Sequence, residues 1–338
     1  MTPRNTQDSS EGTKTAPRPQ PSVSVVIVSY WTGPLLSRCI SSVIAQSSVR
    51  EVILVDNGNW AHEIQRACAV SPDGSVPIKL ISGHGNIGFA AGCNLGAKAA
   101  DGDHLLILNP DAALPGGGID RMIAESRALA RPWLLGPRLL DPDGGEQAGG
   151  RRRVLTPWLA VVEMLKLYKW APRHPYFRRF NFHQDPCPAE TTPVPVISGA
   201  CMFLPKEDYF AIGGMDEGYF LHVEDVDFCL RFAEAGGGVY FAPDVAVIHN
   251  KSSSRTSPVR VEYRKAQSLV RYFWTHFRDP YPWAFLVLAT MGVWVAFALR
   301  AVHSTFSGAV SWLGFAARSG GDGVRRWRRI AARRGGDR

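Results

Sequence analysis

The apolar positions of this chain follow two rhythms. Short unbroken runs rich in β-branched residues alternate with longer stretches in which apolar residues recur every three or four positions. Val23 to Ser29 (VSVVIVS), Glu51 to Val55 (EVILV), Pro77 to Ser82 (PIKLIS) and His104 to Leu108 (HLLIL) are runs of the first kind. All four read as strands, the first two buried on both faces as in a parallel sheet. Between them the helical rhythm recurs. Gly33-Pro34 opens a pattern through Leu35, Leu36, Cys39, Ile40 and Val43, a second helix ends near Val70, and a third runs from about Phe89 to Ala100. This alternation predicts βαβ units in a doubly wound sheet. Ligands of such sheets bind at the carboxyl ends of strands, near a switch in strand order. Polar residues stand at those ends here: Ser29-Tyr30, Asp56-Asn57, Asn86, and Asn109 with Asp111. No GxGxxG follows the first strand and no GxxxxGK[ST] occurs, which excludes a dinucleotide Rossmann site and a P-loop.

The second half is less regular. Residues 136 to 153 read as a hairpin or loop around Asp143-Gly144, and Trp158 to Trp170 as an apolar helix. Arg173 to Phe182 is basic and aromatic, fitting either an exposed loop with anchoring rings or a surface facing a membrane or a diphosphate-bearing acceptor. Val194 to Leu204 reads as a strand, with Ser198-Gly199-Ala200 marking a close approach. Val239 to Phe241 and Val245 to His249 read as two short strands before a helix from about Pro258 to Phe277. The stretch Gly213 to Arg231 sets Asp216, Glu217, Glu224, Asp225 and Asp227 among large apolar groups. Carboxylates in such company are exposed, paired or used. From Val226 the pattern is helical, through Cys229, Leu230 and Ala233, so Glu224 and Asp225 lie in or just before a first turn, where the helix dipole favours negative charge. The stretch fits a well-capped helix with an Asp227–Arg231 pair, and equally a carboxylate held ionised as a base.

Composition changes the picture mainly at the C-terminus. The 338 residues are 45% hydrophobic and 20% charged, an ordinary globular balance. Of the net charge of +8, residues 318–338 carry +6, with eight Arg and two Asp. The rest is nearly neutral, which speaks against nucleic acid as a partner. Ahead of the basic tail, Trp283 to Leu299 is 17 residues without charge, and residues 301–317 hold one His and no other ionisable group. A 17-residue helix rises about 26 Å, just short of the ~30 Å hydrocarbon core. We expect membrane contact through spans, re-entrant or interface-lying helices, with the Arg tail on the cytoplasmic side. A buried helical hairpin is the alternative. Six cysteines without a CxxC pair predict a reducing compartment. Residues 1–22, rich in Thr, Ser, Pro and Gln and without an apolar core, read as a disordered arm rather than a signal peptide.

In chain order, SVVIVSY, ILVDN, GNIGFAAGCNLG, LLILNPDA, GPRLLDPDG, ISGACMFL, GGMDEGYFLHVEDVDFCLR and VIHN resemble glycosyltransferase family 2, and within it the rhamnosyltransferase-type enzymes of bacterial envelope glycan assembly. The resemblance covers about Val23 to Phe277. It implies a GT-A fold and inverting transfer of a sugar from a nucleoside diphosphate donor, dTDP- or UDP-linked, with Mg2+ or Mn2+. The donor so implied is dTDP-rhamnose, with UDP-galactofuranose and UDP-hexoses as alternatives, and the acceptor a polyprenyl-diphosphate-linked or polysaccharide glycan at the cytoplasmic face of the bacterial plasma membrane. The family's nucleotide pocket maps onto Ser29, Tyr30, Asp56 and Asn57, and its closing segment onto Asn86, Gly88 and Phe89. Asn109-Pro110-Asp111 stands at the metal-binding DxD position, with Asn for the first Asp, and His249 matches a histidine that completes the metal site. The base lies in Glu224-Asp225, assigned to Asp225 with Glu224 supporting it, and Asp216 falls on the acceptor side or caps its own turn. Trp31, where the family often has Asn, and the short Asp56-Asn57-Gly58-Asn59 segment depart from the pattern. The expected organisation is an arm (1–22), a GT-A domain (23–278), an apolar membrane-associated segment (279–317) and a basic tail (318–338). A non-catalytic sugar-nucleotide-binding scaffold at the membrane is the alternative of another class.

Overall fold

The computed structural model describes residues 22–71, 74–251 and 256–304. The first half alternates as its hydrophobic rhythm predicts: β1 (Val23–Ser29), α1 (Leu35–Ile44), β2 (Val49–Asp56), α2 (Ala61–Cys68), β3 (Ile78–Ile81), α3 (Phe89–Lys98) and β4 (His104–Leu108). Every residue of β1 is buried, because helices cover both faces of the sheet. Helix α3 lies unusually close to β1: a β-carbon on Gly92 or Gly96 would collide with Val28 or Val26. Small residues thus set the helix–sheet distance and bring the amino end of α3 over the end of β1.

Then follow β5 (Ala112–Ala113), α4 (Gly118–Ser126), β6 (Trp133–Leu140), β7 (Arg151–Arg152), α5 (Pro157–Leu165), β8 (Thr192–Pro193), β9 (Val196–Ile197), β10 (Cys201–Pro205), α6 (Lys206–Ala211), α7 (Glu224–Glu234), β11 (Gly238–His249) and α8 (Pro258–His276). The main sheet runs β3-β2-β1-β4-β10-β6-β11-β5, with β8 on β11, and β7 pairs β9 separately. Neighbours from β3 to β4 are parallel, β10 is antiparallel to both β4 and β6, and β11 is parallel to β6.

Three expectations change in detail. The strand expected over Val194 to Leu204 is split at Ser198-Gly199-Ala200 into β9 and β10, which join different sheets. The two strands expected at Val239 and Val245 are one strand, β11, whose register slips between Ala242 and Ala246. The region around Asp143-Gly144 does turn back on itself, with a Leu140–Glu146 bridge, but it leaves a full central strand, β6, that Gly136-Pro137 disguised.

Beyond α8, a helix α9 (Trp283–Ser304) runs through Arg300 without a break. Its 22 residues rise about 33 Å. It is long and apolar enough to cross a membrane, and 11% of its most apolar window is buried. One side packs on α8: Arg300 pairs with Glu262 at 2.8 Å, Trp274 Nε1 donates to Thr290, and Tyr263 meets Trp294 and Phe297. The other side exposes Trp283, Leu288, Met291, Val295 and Leu299. The expectations for the N-terminal arm, except Ser22, and for the second apolar run past Ser304 with the basic tail lie outside the described residues. All six cysteines are free.

Candidate active site

The polar strand ends converge at the carboxyl edge of the β2-β1-β4 portion. Asn57 N donates to the Ser29 carbonyl, and Asn57 Nδ2 donates to the Gly88 carbonyl at 2.9 Å. Asn57 thereby ties the end of β2 to the segment leading into α3, and its Oδ1 is buried without a donor among the described residues. Asp56 Oδ1 accepts from Gly58 N, Asn59 N and Asn59 Nδ2, which closes the turn; Oδ2 takes no part in that turn. Ser29 is fully buried, and its hydroxyl is spent on Thr32 and Asn59 beneath the loop. The Tyr30 ring lies over Gly58. Asn86 Oδ1 accepts from Gly88 N. Gly88 has φ +90°, and a β-carbon there would sit 2.7 Å from the Phe220 carbonyl oxygen, so the segment closes on Phe220 only because this residue is glycine. Phe89 N donates to that same oxygen.

At the end of β4, Asp111 Oδ1 lies 3.2 Å from His249 Nε2, and Asn109 Nδ2 lies 3.1 Å from the same nitrogen. β5 pairing with β11 produces this meeting of residues 138 positions apart in sequence. Among the described residues no three His, Cys, Asp or Glu side chains form a metal cluster. One carboxylate and one imidazole nitrogen, both nearly buried, still suit a dication whose remaining ligands are diphosphate oxygens and water. The donor set therefore fits the Mg2+ or Mn2+ that the sequence leads one to expect.

The carboxylate pair begins α7. His222 and Val223 both have positive φ, 67° and 72°. For the β-branched Val223 this strain is of order 1–3 kcal/mol, and it makes the abrupt turn that places Glu224 and Asp225 in the first turn. Asp225 Oδ2 accepts from Arg152 Nη2 at 2.5 Å and from Gly199 N at 2.9 Å, and Oδ1 accepts from Val226 N. Burial pushes the Asp225 carboxyl up, but the Arg152 charge and these donors outweigh it and hold the group below the usual carboxylate range. Glu224 is the reverse: burial first, then the charge of Asp225, push it up to about 8, and its Oε2 has no partner among the described residues. Asp227 accepts from Arg231 at 2.8 Å, as the i, i+4 spacing predicts, and from His276 on α8. Asp216 caps its turn through Gly218 N and pairs with Arg271 at 2.8 Å, so the turn-capping alternative describes its present contacts.

Two residues escaped sequence reasoning. Arg152 reaches Asp225 because β7 pairs β9 and the chain breaks at Gly199, where a β-carbon would press on Asp225. Gln147 receives His249 Nδ1. Both sit in a stretch that reads as a polar loop, and no local pattern singles them out.

A mixed sheet with polar residues gathered at one strand edge, a carboxylate–imidazole pair and a buried carboxylate pair at a helix start has the architecture of a GT-A glycosyltransferase. The family described as Glycosyl transferase family 2 matches residues 24–203, and the chain belongs to it. It is 29% identical over 252 residues to the N-acetylglucosaminyl-diphospho-decaprenol L-rhamnosyltransferase of Mycobacterium tuberculosis, covering 68% of this chain and 76% of that protein. It is 25% identical over 236 residues to Rhamnosyltransferase WbbL of Escherichia coli, covering 67% and 83%. Among solved structures, the mannosyltransferase PcManGT from Pyrobaculum calidifontis, in complex with GDP-Man and Mn2+, aligns over 88% of this chain and 82% of its own, with TM-score 0.52 and 18% identity. GalNAc-T7 with UDP, GalNAc and Mn2+ aligns at TM-score 0.55 and 18% identity over 78% of this chain, which spans half of that enzyme. These two likenesses support the fold alone.

Proposed function

We propose that this glycosyltransferase transfers rhamnose from dTDP-rhamnose, with inversion, to a polyprenyl-diphosphate-linked glycan at the cytoplasmic face of the bacterial plasma membrane. The observation that carries the catalytic part is the charge division at the start of α7, where Asp225 is held ionised by Arg152 while Glu224 is held protonated near neutral pH. The rhamnose and the lipid diphosphate rest on the names of the mycobacterial and E. coli relatives.

In this reading Tyr30, Asp56 through Oδ2, and Asn57 hold the base and ribose, and Asn86, Gly88 and Phe89 close over them. Asn109 and Asp111 border the diphosphate. Asp111 and His249 would hold the divalent cation, which when bound neutralises charge developing on the departing nucleoside diphosphate. Asp225 takes the proton of the attacking acceptor hydroxyl on the opposite face of the sugar. Arg152 and the Gly199 N–H fix the carboxylate's orientation. Glu224, uncharged, leaves Asp225 as the single ionised member of the pair. Asp227, with Arg231 and His276, anchors α7 to α8 rather than touching substrate.

The test is a transfer assay on the purified full chain against dTDP-rhamnose, UDP-galactofuranose and UDP-hexoses, with Mg2+, Mn2+ or chelator. Cation-dependent transfer from dTDP-rhamnose is expected. Asp225→Asn should lower kcat by roughly 10²–10⁴-fold while leaving donor affinity nearly unchanged. Retained turnover in that variant removes the base assignment. Absence of transfer by the wild type with every donor and cation would instead favour a non-catalytic scaffold.

A further inference from the structure

Gln147 is 1% exposed and uses its whole side-chain amide. Its Nε2 donates to Asp141 Oδ1 at 2.6 Å and to the His249 carbonyl at 2.9 Å. Both partners are acceptors only, so the amide has one sensible orientation. Its Oε1 therefore faces His249 Nδ1, at 2.6 Å. An amide oxygen cannot donate, so Nδ1 carries the proton in the neutral ring and Nε2 carries the lone pair. That lone pair meets Asn109 Nδ2 as donor and lies 3.2 Å from Asp111 Oδ1.

The arrangement opposes what Asp111 alone would do. A carboxylate beside Nε2 draws the imidazole proton to that nitrogen and makes the histidine a donor to Asp111, useless as a cation ligand. Gln147 supplies the competing acceptor on the other side of the ring. It is itself held by backbone bonds, from its N–H to the Leu139 carbonyl and from Gly150 N to its own carbonyl. The strand end at Leu139 thus fixes the ring from behind.

We infer that Gln147 is a positioning residue that locks His249 as the Nδ1–H tautomer and so keeps Nε2 available, beside Asp111, to a divalent cation. This rests on the cation role assigned to Asp111 and His249 in the proposed function, and the experiment separates the two. Partners that orient a ligating histidine in this way typically change cation affinity by about 10–100-fold when removed.

Two variants isolate the effect. Gln147→Met and Gln147→Glu both lose the amide N–H bonds to Asp141 and the His249 carbonyl; only Gln147→Glu keeps an acceptor for Nδ1–H. Full-length protein with 15N-labelled histidine, in detergent at pH 8 where an ordinary imidazole is neutral, reports the tautomer directly, with His249→Asn assigning the signal. The wild type and Gln147→Glu should show protonated Nδ1, and Gln147→Met protonated Nε2. Electron paramagnetic resonance of Mn2+ in the presence of dTDP or UDP should give binding about 10–100-fold weaker for Gln147→Met and within a few-fold of wild type for Gln147→Glu. A wild-type Nε2–H tautomer, equal Mn2+ affinity in wild type and Gln147→Met, or equal impairment of both variants overturns the inference. Wild-type protein that takes up no Mn2+ while showing the Nδ1–H tautomer overturns the cation role of both sites, leaving the ring's orientation as a feature of the fold alone.

Discussion

Glu224 and Asp225 are adjacent carboxylates that the fold drives to opposite protonation states. Asp225 turns toward a guanidinium and two backbone N–H groups, whereas Glu224 is buried with one oxygen unpartnered among the described residues. The difference has a consequence for stability. With the Glu224 carboxyl raised to about 8, the folded protein keeps a proton that the unfolded chain gives up near pH 4.3. Its contribution is therefore fully present at acid pH and is lost as pH rises through about 8. Glu224→Gln removes that dependence. Between pH 5 and pH 9 the variant should gain about 4 kcal/mol relative to wild type, read as a widening difference in Tm by calorimetry. A parallel pH dependence in the two proteins would show that Glu224 ionises freely.

Among the elements, the segment from Asn86 into α3 depends on its neighbours for its position. It is held from one side by Asn57 and from the other by the Phe220 carbonyl. Gly88→Ala introduces a β-carbon 2.7 Å from that carbonyl oxygen at a φ of +90°. The segment must then lift from Phe220, at a cost of roughly 1–3 kcal/mol. A fall in Tm accompanied by at least about tenfold weaker nucleotide binding (~1.4 kcal/mol) in titration calorimetry is expected. Destabilisation with unchanged nucleotide affinity would remove this segment from the donor site. β1, β2 and β4 were readable because a strand buried on both faces shows as an apolar run, whereas β3 is an edge strand with Leu80 exposed. β6 was not readable, since Gly136-Pro137 has the local signature of a turn while its neighbours β10 and β11 supply the pairing.

At the scale of the whole molecule, helix α9 bears on how the protein meets a membrane. Helix α9 is anchored to α8 along one side and presents Leu288, Met291 and Val295 on the other. Deleting residues 283–338 should release the protein from membranes in a vesicle flotation assay. Since that deletion also uncovers α8, the double substitution Met291→Arg with Val295→Arg is the cleaner probe. Each charge costs about 2.5–3.5 kcal/mol near the centre of a bilayer, so flotation should fall sharply while the Arg300–Glu262 contact and the fold persist. Flotation unchanged in both would move membrane contact to the basic aromatic stretch at residues 173–182.

Sequence alone determined what depends on local order and local period: the βαβ alternation, the polar residues at strand ends, the helical pattern from Val226 with its Asp227–Arg231 pair, and the family to which the chain belongs. Each follows from neighbours a few positions apart. Tertiary structure decided what depends on pairing across the chain. It set Asp111 beside His249, turned Gln147 against the back of the imidazole, and brought Arg152 onto Asp225 across a break at Gly199. These contacts join residues 73 to 138 positions apart, or lie in a stretch whose composition reads as a loop. Protonation state is decided there too, because burial and charge partners are properties of the packed molecule, and Glu224 and Asp225 are indistinguishable as acids until it forms.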